Sequence, residues 1–208
     1  GYRQVEGVDY FETFAPVVRN ATIMIVLAIV AERDLYAEQM DVNTAFIQSE
    51  LIDGEELYME MPPIYEWLLN HPDAEDFPTE ALRKNAPAVR LIKSLYGTKQ
   101  APRVWYKCIN SFLIECGLNP LKSDPCCYVR FEGDKILIVC LYVDDLLICG
   151  STLGIVSELK SKLNERFDMS DLGPVTHLLG MSITRDRHKK TLFVNQHSYI
   201  QNILNQYS

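Results

Sequence analysis

The segment ILIVCLYVDDLLICG, from Ile136 to Gly150, constrains the fold more than any other part of the sequence. Two apolar runs flank a short polar break, which is the pattern of two β-strands joined by a tight hairpin turn. Both runs are apolar at successive positions, and this indicates strands that are buried on both faces of a sheet. The turn falls near Val143, Asp144 and Asp145 and contains no glycine, although tight turns favour residues that accept a positive φ angle. A poor local choice inside a strong fold signal is typical of a functional site.

The two adjacent aspartates admit two interpretations. An ionised carboxylate without a partner is costly in apolar surroundings, and two neighbouring carboxylates also repel each other. Asp144 and Asp145 are therefore either solvated turn residues or ligands of a cation. Asp41 ends the predicted strand LYAEQMD and would supply a third carboxylate at a strand end. Mg²⁺ takes one or two carboxylates together with substrate phosphates, and two such ions can catalyse phosphoryl transfer. The spacing of the three aspartates therefore predicts a divalent-metal site, but it does not predict which reaction the site serves.

Composition places the chain among ordinary globular proteins. It has 208 residues, of which 48% are hydrophobic and 23% are charged, enough for one large domain or two small ones. The net charge of −8 argues against nucleic-acid binding, since phosphate contacts need Lys and Arg. The charged residues are unevenly distributed, however. Residues 50–80 contain many acidic residues, whereas all the charged residues in 86–114 are basic. Those bases form either a solvated face or a phosphate-facing surface: Arg90, Lys93, Lys99, Arg103 and Lys107.

Cysteine usage and hydropathy exclude several classes. The six cysteines form no C-x-x-C pair, which favours reduced buried thiols over disulfides or a zinc site. The longest apolar run, residues 23–31, is too short to cross a bilayer. The sequence begins without Met and ends inside a predicted amphipathic helix, which favours a piece of a longer protein.

Apolar periodicity predicts an α+β fold, with packed helices and a mostly antiparallel sheet. Helices are predicted from Asn20 or Thr22 to Arg33, from Asn43 through Leu51, from Pro102 to Cys116, from Ile155 to Phe167, and at the end of the chain. Strands are predicted at Leu35–Asp41, Val89–Tyr96, Cys127–Phe131, Lys135–Val143, Leu146–Cys149, Leu178–Arg185 and Thr191–Asn195. The proline-rich stretch 61–88 is predicted to be a surface excursion.

Seven sequence blocks together resemble the reverse transcriptases of copia-type LTR retrotransposons, and they occur in that family's order. LYVDDLLICG resembles the active-site motif, and the joint match extends over nearly the whole chain. The blocks are GVDYFETFAPV, QMDVNTAF, ELYMEMPP, KSLYGTKQAPRVWY, SDPCCYV, YVDDLLICG and FDMSDLGPVTHLLGMSI. Thr98 departs from the family, which usually has Leu there. LLGMSI loosely resembles the strand that grips the primer terminus.

The resemblance implies a role for particular residues. Asp41, Asp144 and Asp145 would be the metal-binding carboxylates of a palm, and the carbonyl of Val42 would complete one metal shell. Phe46, five residues after Asp41, would be the aromatic steric gate beneath the incoming sugar. The remaining implied contacts are Gln100 and Tyr142 with the substrate, and Lys99 and Arg103 with nucleic acid. Taken alone, Phe46 would be a core aromatic residue and Gln100 a solvated loop residue; Trp105, Tyr106 and Phe112 are predicted to be core rather than base-stacking residues.

The resemblance also implies an architecture and a reaction. Residues 1–208 would form one reverse transcriptase domain, with fingers and palm elements interleaved in 1–40 and 42–105, mainly palm in 106–185, and the start of the thumb or connection in 186–208. The activity would be RNA-directed and DNA-directed DNA synthesis from deoxynucleoside triphosphates, with two Mg²⁺ ions or Mn²⁺. The partners would be an RNA template, a DNA primer and the RNase H and integrase parts of a Pol polyprotein, without a membrane. The location would be a cytoplasmic virus-like particle, with nuclear passage of the element.

Two other classes of function stay open. One is an inactive remnant that keeps the palm fold, against which the intact Asp41, Asp144, Asp145, Phe46 and Gln100 argue. The other is a nucleotidyl transferase or cyclase that uses no template, against which the blocks at 39–46 and 93–106 argue.

Overall fold

The computed structural model describes residues 1–51, 56–60 and 88–207. Four α-helices lie in these ranges: α1 (Asn20–Glu32), α2 (Ala101–Glu115), α3 (Leu153–Arg166) and α4 (His197–Tyr207). A short 3₁₀ helix covers Ala45–Gln48. The strands are β1 (Tyr36–Val42), β2 (Tyr58–Glu60), β3 (Ala88–Arg90), β4 (Asn119–Pro120), β5 (Cys127–Glu132), β6 (Lys135–Tyr142), β7 (Asp145–Gly150), β8 (Met169–Pro174), β9 (His177–Leu178), β10 (Met181–Asp186) and β11 (Thr191–Asn195). None of these helices combines the length and the apolar content that crossing a bilayer requires.

The main sheet has six strands in the order β4-β5-β6-β7-β1-β8, and every neighbouring pair is antiparallel. A second sheet has the order β11-β10-β9, and β2 pairs with β3 in a third. The mixture of helices and antiparallel sheets confirms the predicted α+β class. The predicted division into palm, fingers and thumb stays a prediction.

The central strands β6 and β7 are buried at nearly every position, as their unbroken apolar sequences predict. Helix α3 covers one face of the sheet where β7 ends. A Cβ atom added to Gly150 would lie 2.7 Å from a methyl group of Val156 and 2.8 Å from one of Ile155. Glycine is therefore required at this position, because the helix approaches the strand too closely for a side chain.

Helix α1 is capped from a distant part of the chain. The expectation that Asn20 or Thr22 caps the helix is wrong, since Arg19 is the N-cap residue and makes no side-chain capping bond. The buried carboxylate of Asp124 supplies the hydrogen-bond acceptor at this end of the helix instead. It accepts hydrogen bonds from the backbone N–H of Arg19 (2.9 Å) and the hydroxyl of Thr22 (2.6 Å) through one oxygen. Its other oxygen accepts from the N–H of Cys126 at 3.2 Å.

We expect Asp124→Ala to lower the free energy of unfolding by about 2–3 kcal/mol, because it leaves the partly buried donors of Arg19 and Thr22 and the buried N–H of Cys126 without their acceptor. Urea denaturation of residues 1–208 measures this change. Asp134→Ala is the matched control, since Asp134 is an exposed turn residue and its loss should change stability by less than about 0.5 kcal/mol. Equal effects of the two substitutions would contradict the capping role.

The remaining differences from the sequence predictions have local causes. The helix predicted from Asn43 through Leu51 is only the four-residue 3₁₀ helix, because the Asn43 amide donates to Asp168 (2.9 Å) and does not cap a helix. The strand predicted at Val89–Tyr96 is limited to β3 and an isolated bridge between Glu50 and Lys93. The strand predicted at Leu178–Arg185 is interrupted by positive φ angles at 179 and 180. The excursion predicted at 61–88 lies outside the described residues, apart from the first residue of β3.

Candidate active site

The three aspartates meet at one end of the main sheet. Asp41 lies near the end of β1 and Asp145 begins β7, and the two are directly opposite each other in the antiparallel register. Opposite residues point to the same face, with Cβ atoms about 4.5–5.5 Å apart. Asp144 lies in the turn between β6 and β7, one residue before Asp145. The chain thus brings together carboxylates that are more than a hundred residues apart in sequence.

The turn that carries Asp144 has an unusual backbone. Val143 has a φ angle of +58°, which is rare for a β-branched residue. The Val143 carbonyl accepts a hydrogen bond from the indole N–H of Trp105 at 2.6 Å. The carbonyl of Asp144 accepts one from the backbone N–H of Val42 at 3.0 Å. Contacts from both α2 and β1 therefore hold the turn.

The electrostatics of the site oppose three ionised carboxylates. Partial burial raises the pKa of Asp41, and the charges of Asp144 and Asp145 raise it further. Burial also raises the pKa of Asp145, as does Asp144, while a hydrogen bond from the Gln39 amide (3.0 Å) acts in the opposite direction. Among the described residues, none of the ion pairs formed by Lys or Arg includes one of these aspartates. A bound cation would relieve this repulsion.

The donor set fits Mg²⁺ rather than a metal held wholly by protein. In the described ranges, no three His, Cys, Asp or Glu side chains form a ready-made cage for an ion. Mg²⁺ does not need such a cage, because it keeps several waters and takes one or two carboxylates plus substrate phosphates. The carboxylates of Asp41 and Asp145, which lie opposite each other in the register, suit that partial shell together with Asp144 in the adjoining turn.

Tyr142 and Ser170 extend the row of side chains that contains Asp41 and Asp145. Tyr142, on β6, is opposite Asp145, and Ser170, on β8, is opposite Asp41. Opposite residues share a face of the sheet, so Tyr142 lies on the same face as the carboxylates. Its side chain is exposed. The structure thus places the predicted substrate contact beside the aspartates.

Phe46 lies on the 3₁₀ helix that follows β1, and it is half-buried. Its ring packs on that of Tyr96, with centroids 4.8 Å apart and a tilt of 51°. Its carbonyl accepts hydrogen bonds from the hydroxyls of Ser94 and Ser49. These contacts restrain Phe46, and its role as a steric gate stays a prediction.

Gln100 and Arg103 are engaged with the N-terminal part of the chain. Gln100 is buried just before α2, and its side chain accepts a hydrogen bond from the Gln4 amide at 2.9 Å. The guanidinium of Arg103 is paired with Glu12 at 2.8 Å, and only 14% of its side chain is exposed. The predicted contacts of Gln100 with the substrate and of Arg103 with nucleic acid stay predictions. Lys99 is exposed, and its backbone N–H donates to Gln4 at 2.8 Å.

Sequence reasoning missed the roles of Gln39 and Trp105 at this site. Gln39 lies two residues before Asp41 on the same strand, and strand periodicity places both on one face, so that signal was available. Trp105 was predicted to be a core residue, and its burial confirms this. Its hydrogen bond to Val143 depends on a tertiary contact that no local pattern encodes.

The fold and the site together define an α+β protein with a carboxylate site whose donors fit a divalent cation. The whole chain, residues 1–208, matches the family described as reverse transcriptase (RNA-dependent DNA polymerase). The chain belongs to this family.

The curated relatives agree with the resemblance to copia-type elements. The chain is 41% identical over 209 residues to the Retrovirus-related Pol polyprotein from transposon TNT 1-94 of Nicotiana tabacum, covering 100% of this chain and 14% of that protein. It is 34% identical over 206 residues to the corresponding polyprotein from transposon RE1 of Arabidopsis thaliana, covering 98% and 13%. Identity to the Transposon Ty1-MR1 Gag-Pol polyprotein of Saccharomyces cerevisiae is 29% over 180 residues, covering 83% and 9%. The chain therefore spans a small part of the length of each relative.

Proposed function

We propose that this chain is the DNA-synthesising part of a copia-type Pol polyprotein and copies RNA and DNA templates into DNA. The observation that carries the proposal is the register of Asp41 against Asp145 with Asp144 in the adjoining turn. Membership of the reverse transcriptase family supports the same reaction. The reaction joins the 3′-hydroxyl of a primer to the α-phosphorus of a deoxynucleoside triphosphate and releases pyrophosphate.

In this proposal each residue of the site has a distinct role. The carboxylates of Asp41, Asp144 and Asp145 hold two Mg²⁺ ions or Mn²⁺, with the carbonyl of Val42 as a further ligand. Such ions, when bound, lower the pKa of the attacking hydroxyl and stabilise the charge of the triphosphate. Phe46 limits the space beneath the sugar, and Tyr142 contacts the substrate from the neighbouring strand. Catalysis then depends mainly on positioning and charge stabilisation.

The wider assignments belong to the same proposal. Residues 1–40 and 42–105 would form interleaved fingers and palm, 106–185 mainly palm, and 186–208 the start of the thumb or connection. Gln100 would support the nucleotide pocket through its contacts with the N-terminal segment, and Lys99 and Arg103 would contact nucleic acid. The RNase H and integrase parts of Pol would act beside this domain, in a cytoplasmic particle whose product passes to the nucleus.

The test is primer extension by a longer chain that includes the flanking Pol sequence. With a poly-ribonucleotide template and a DNA primer, we expect product of templated length and composition. A folded protein that yields no product would identify an inactive remnant. Product that forms equally well without a template would identify an untemplated nucleotidyl transferase.

We expect residues 1–208 alone to bind a primer–template duplex with a dissociation constant of about 10⁻⁴ to 10⁻⁶ M at physiological salt. The net charge is −8, and the guanidinium groups of Arg3, Arg90 and Arg103 are already paired with glutamates. These pairs weaken the attraction of the basic side chains for phosphates. Fluorescence anisotropy of a labelled RNA–DNA duplex measures the constant, with the longer chain as the comparison. Nanomolar binding by residues 1–208 would show that this account of the binding surface is wrong.

A further inference from the structure

Asp144 is held through both peptide groups that flank it. The peptide before it contains the Val143 carbonyl, which accepts from the indole N–H of Trp105 at 2.6 Å. The peptide after it contains the Asp144 carbonyl, which accepts from the N–H of Val42 at 3.0 Å. Because each peptide group is planar, fixing its carbonyl fixes the whole plane. The two hydrogen bonds together set the backbone of Asp144, and with it the direction of the Cα–Cβ bond from which its carboxylate extends.

The turn sequence would not keep this conformation unaided. Val143 is β-branched and has a φ angle of +58°, and no glycine lies in the turn. Such backbone persists only where the surrounding structure determines it. Strand β1 supplies one constraint through Val42, and helix α2 supplies the other through Trp105.

Trp105 is itself rigidly placed. Only 2% of it is exposed, and its ring packs edge-on against Phe167 with centroids 5.4 Å apart. A small apolar cleft of about 70 Å³ borders both Trp105 and Val143.

We propose that Trp105 is a positioning residue, whose indole N–H aims the carboxylate of Asp144 by holding the Val143 peptide. The inference rests on the proposed function for its effect on the reaction, and on the geometry alone for its effect on the turn. A residue that serves only as core would stabilise the fold without any particular influence on Asp144.

The first test compares Trp105→Phe with Phe112→Leu in the longer, active chain. Phenylalanine keeps an aromatic ring against Phe167 and removes the N–H donor, together with part of the buried volume of the indole; Phe112→Leu is the control for that loss of packing. Phe112 also packs edge-on against Phe167, with ring centroids 5.2 Å apart, and its side chain has no group that could hydrogen-bond to the turn. We expect Trp105→Phe to lower kcat by about ten- to a hundredfold, to change the KM for the deoxynucleotide little, and to raise the Mg²⁺ concentration for half-maximal rate. Phe112→Leu should change kcat by less than about twofold once corrected for the folded fraction.

The second test needs neither activity nor metal. Hydrogen exchange of the Val42 amide in residues 1–208 reports whether that amide still donates its hydrogen bond to the Asp144 carbonyl. We expect exchange about fivefold faster in Trp105→Phe and unchanged in Phe112→Leu, relative to amides elsewhere in β1. Unchanged exchange with normal kcat in Trp105→Phe, or parallel losses in both variants, would overturn the proposal. If the unsubstituted longer chain makes no templated product, the proposed function fails, and the exchange result still decides whether Trp105 holds the turn.

Discussion

Replacing Asp144 by Asn in the complete polymerase is expected to reduce primer extension by roughly three decades or more. The substitution keeps the size of the side chain and removes one negative charge from a group of three. A site that holds two cations then lacks a ligand whose charge matches theirs. Asp41→Asn should have a comparable effect, because Asp41 lies directly opposite Asp145 on the neighbouring strand. Single-turnover extension at saturating Mg²⁺ measures both losses.

The control for this result is a second hairpin in the same sheet. Asp134 lies in the turn between β5 and β6 and is exposed, so Asp134→Asn changes the net charge equally and should leave extension within about twofold. Folding should survive Asp144→Asn, because the substitution removes a repulsive charge. Thermal denaturation of each variant separates loss of activity from loss of structure. Near-normal extension by Asp144→Asn or Asp41→Asn would rule out the shared metal site.

The central part of the fold could be predicted because its sequence is apolar without interruption. Strands β6 and β7 were predicted to within about a residue, since only a buried strand explains such runs. Strand β8 was missed because MSDLGP has no apolar alternation, and its pairing with β1 contains a register shift. Edge strands of this kind are defined by their partner rather than by their own side chains.

Interactions between distant residues set the limit of sequence reasoning. The carboxylate that caps α1 is Asp124, which is 105 residues from Arg19. The cation predicted to face nucleic acid, Arg103, pairs with Glu12 at a separation of 91 residues. Pattern and propensity describe neighbours along the chain, so they contain no information about such pairs.

The spacing of residues in the sequence predicted the candidate site only in part, and the family resemblance added to it. Spacing predicted a carboxylate site but did not show that Asp41 would meet Asp144 and Asp145. The family resemblance supplied that pairing, and the register of β1 against β7 now gives it a geometry. The resemblance did not supply the hydrogen bonds from Gln39 and Trp105, because these depend on how this particular chain packs.

Phe46 is expected to exclude ribonucleotides by its bulk. It follows Asp41 by five residues, and the rings of Phe46 and Tyr96 pack together at 4.8 Å, so its side chain has little freedom to move aside. Phe46→Ala or Phe46→Val should raise the incorporation of ribonucleotides relative to deoxynucleotides by about one to three decades, if the clash with a 2′-hydroxyl is worth a few kcal/mol. The measurement is the ratio of kcat/KM for the two sugars on one template.

The adjacent residue provides the control for the gate. Ile47 lies on the same 3₁₀ helix and is 38% exposed, so Ile47→Ala removes a similar kind of apolar bulk without opening the position of the Phe46 ring. The ratio of kcat/KM for ribonucleotides and deoxynucleotides in Ile47→Ala should stay within about twofold of the value for the unsubstituted enzyme. Tyr96→Leu should give an intermediate ratio, because it removes the ring that supports Phe46 and leaves Phe46 itself in place. If Phe46→Ala retains deoxynucleotide activity with an unchanged ratio, Phe46 is a packing residue and the discrimination between sugars arises elsewhere in the protein.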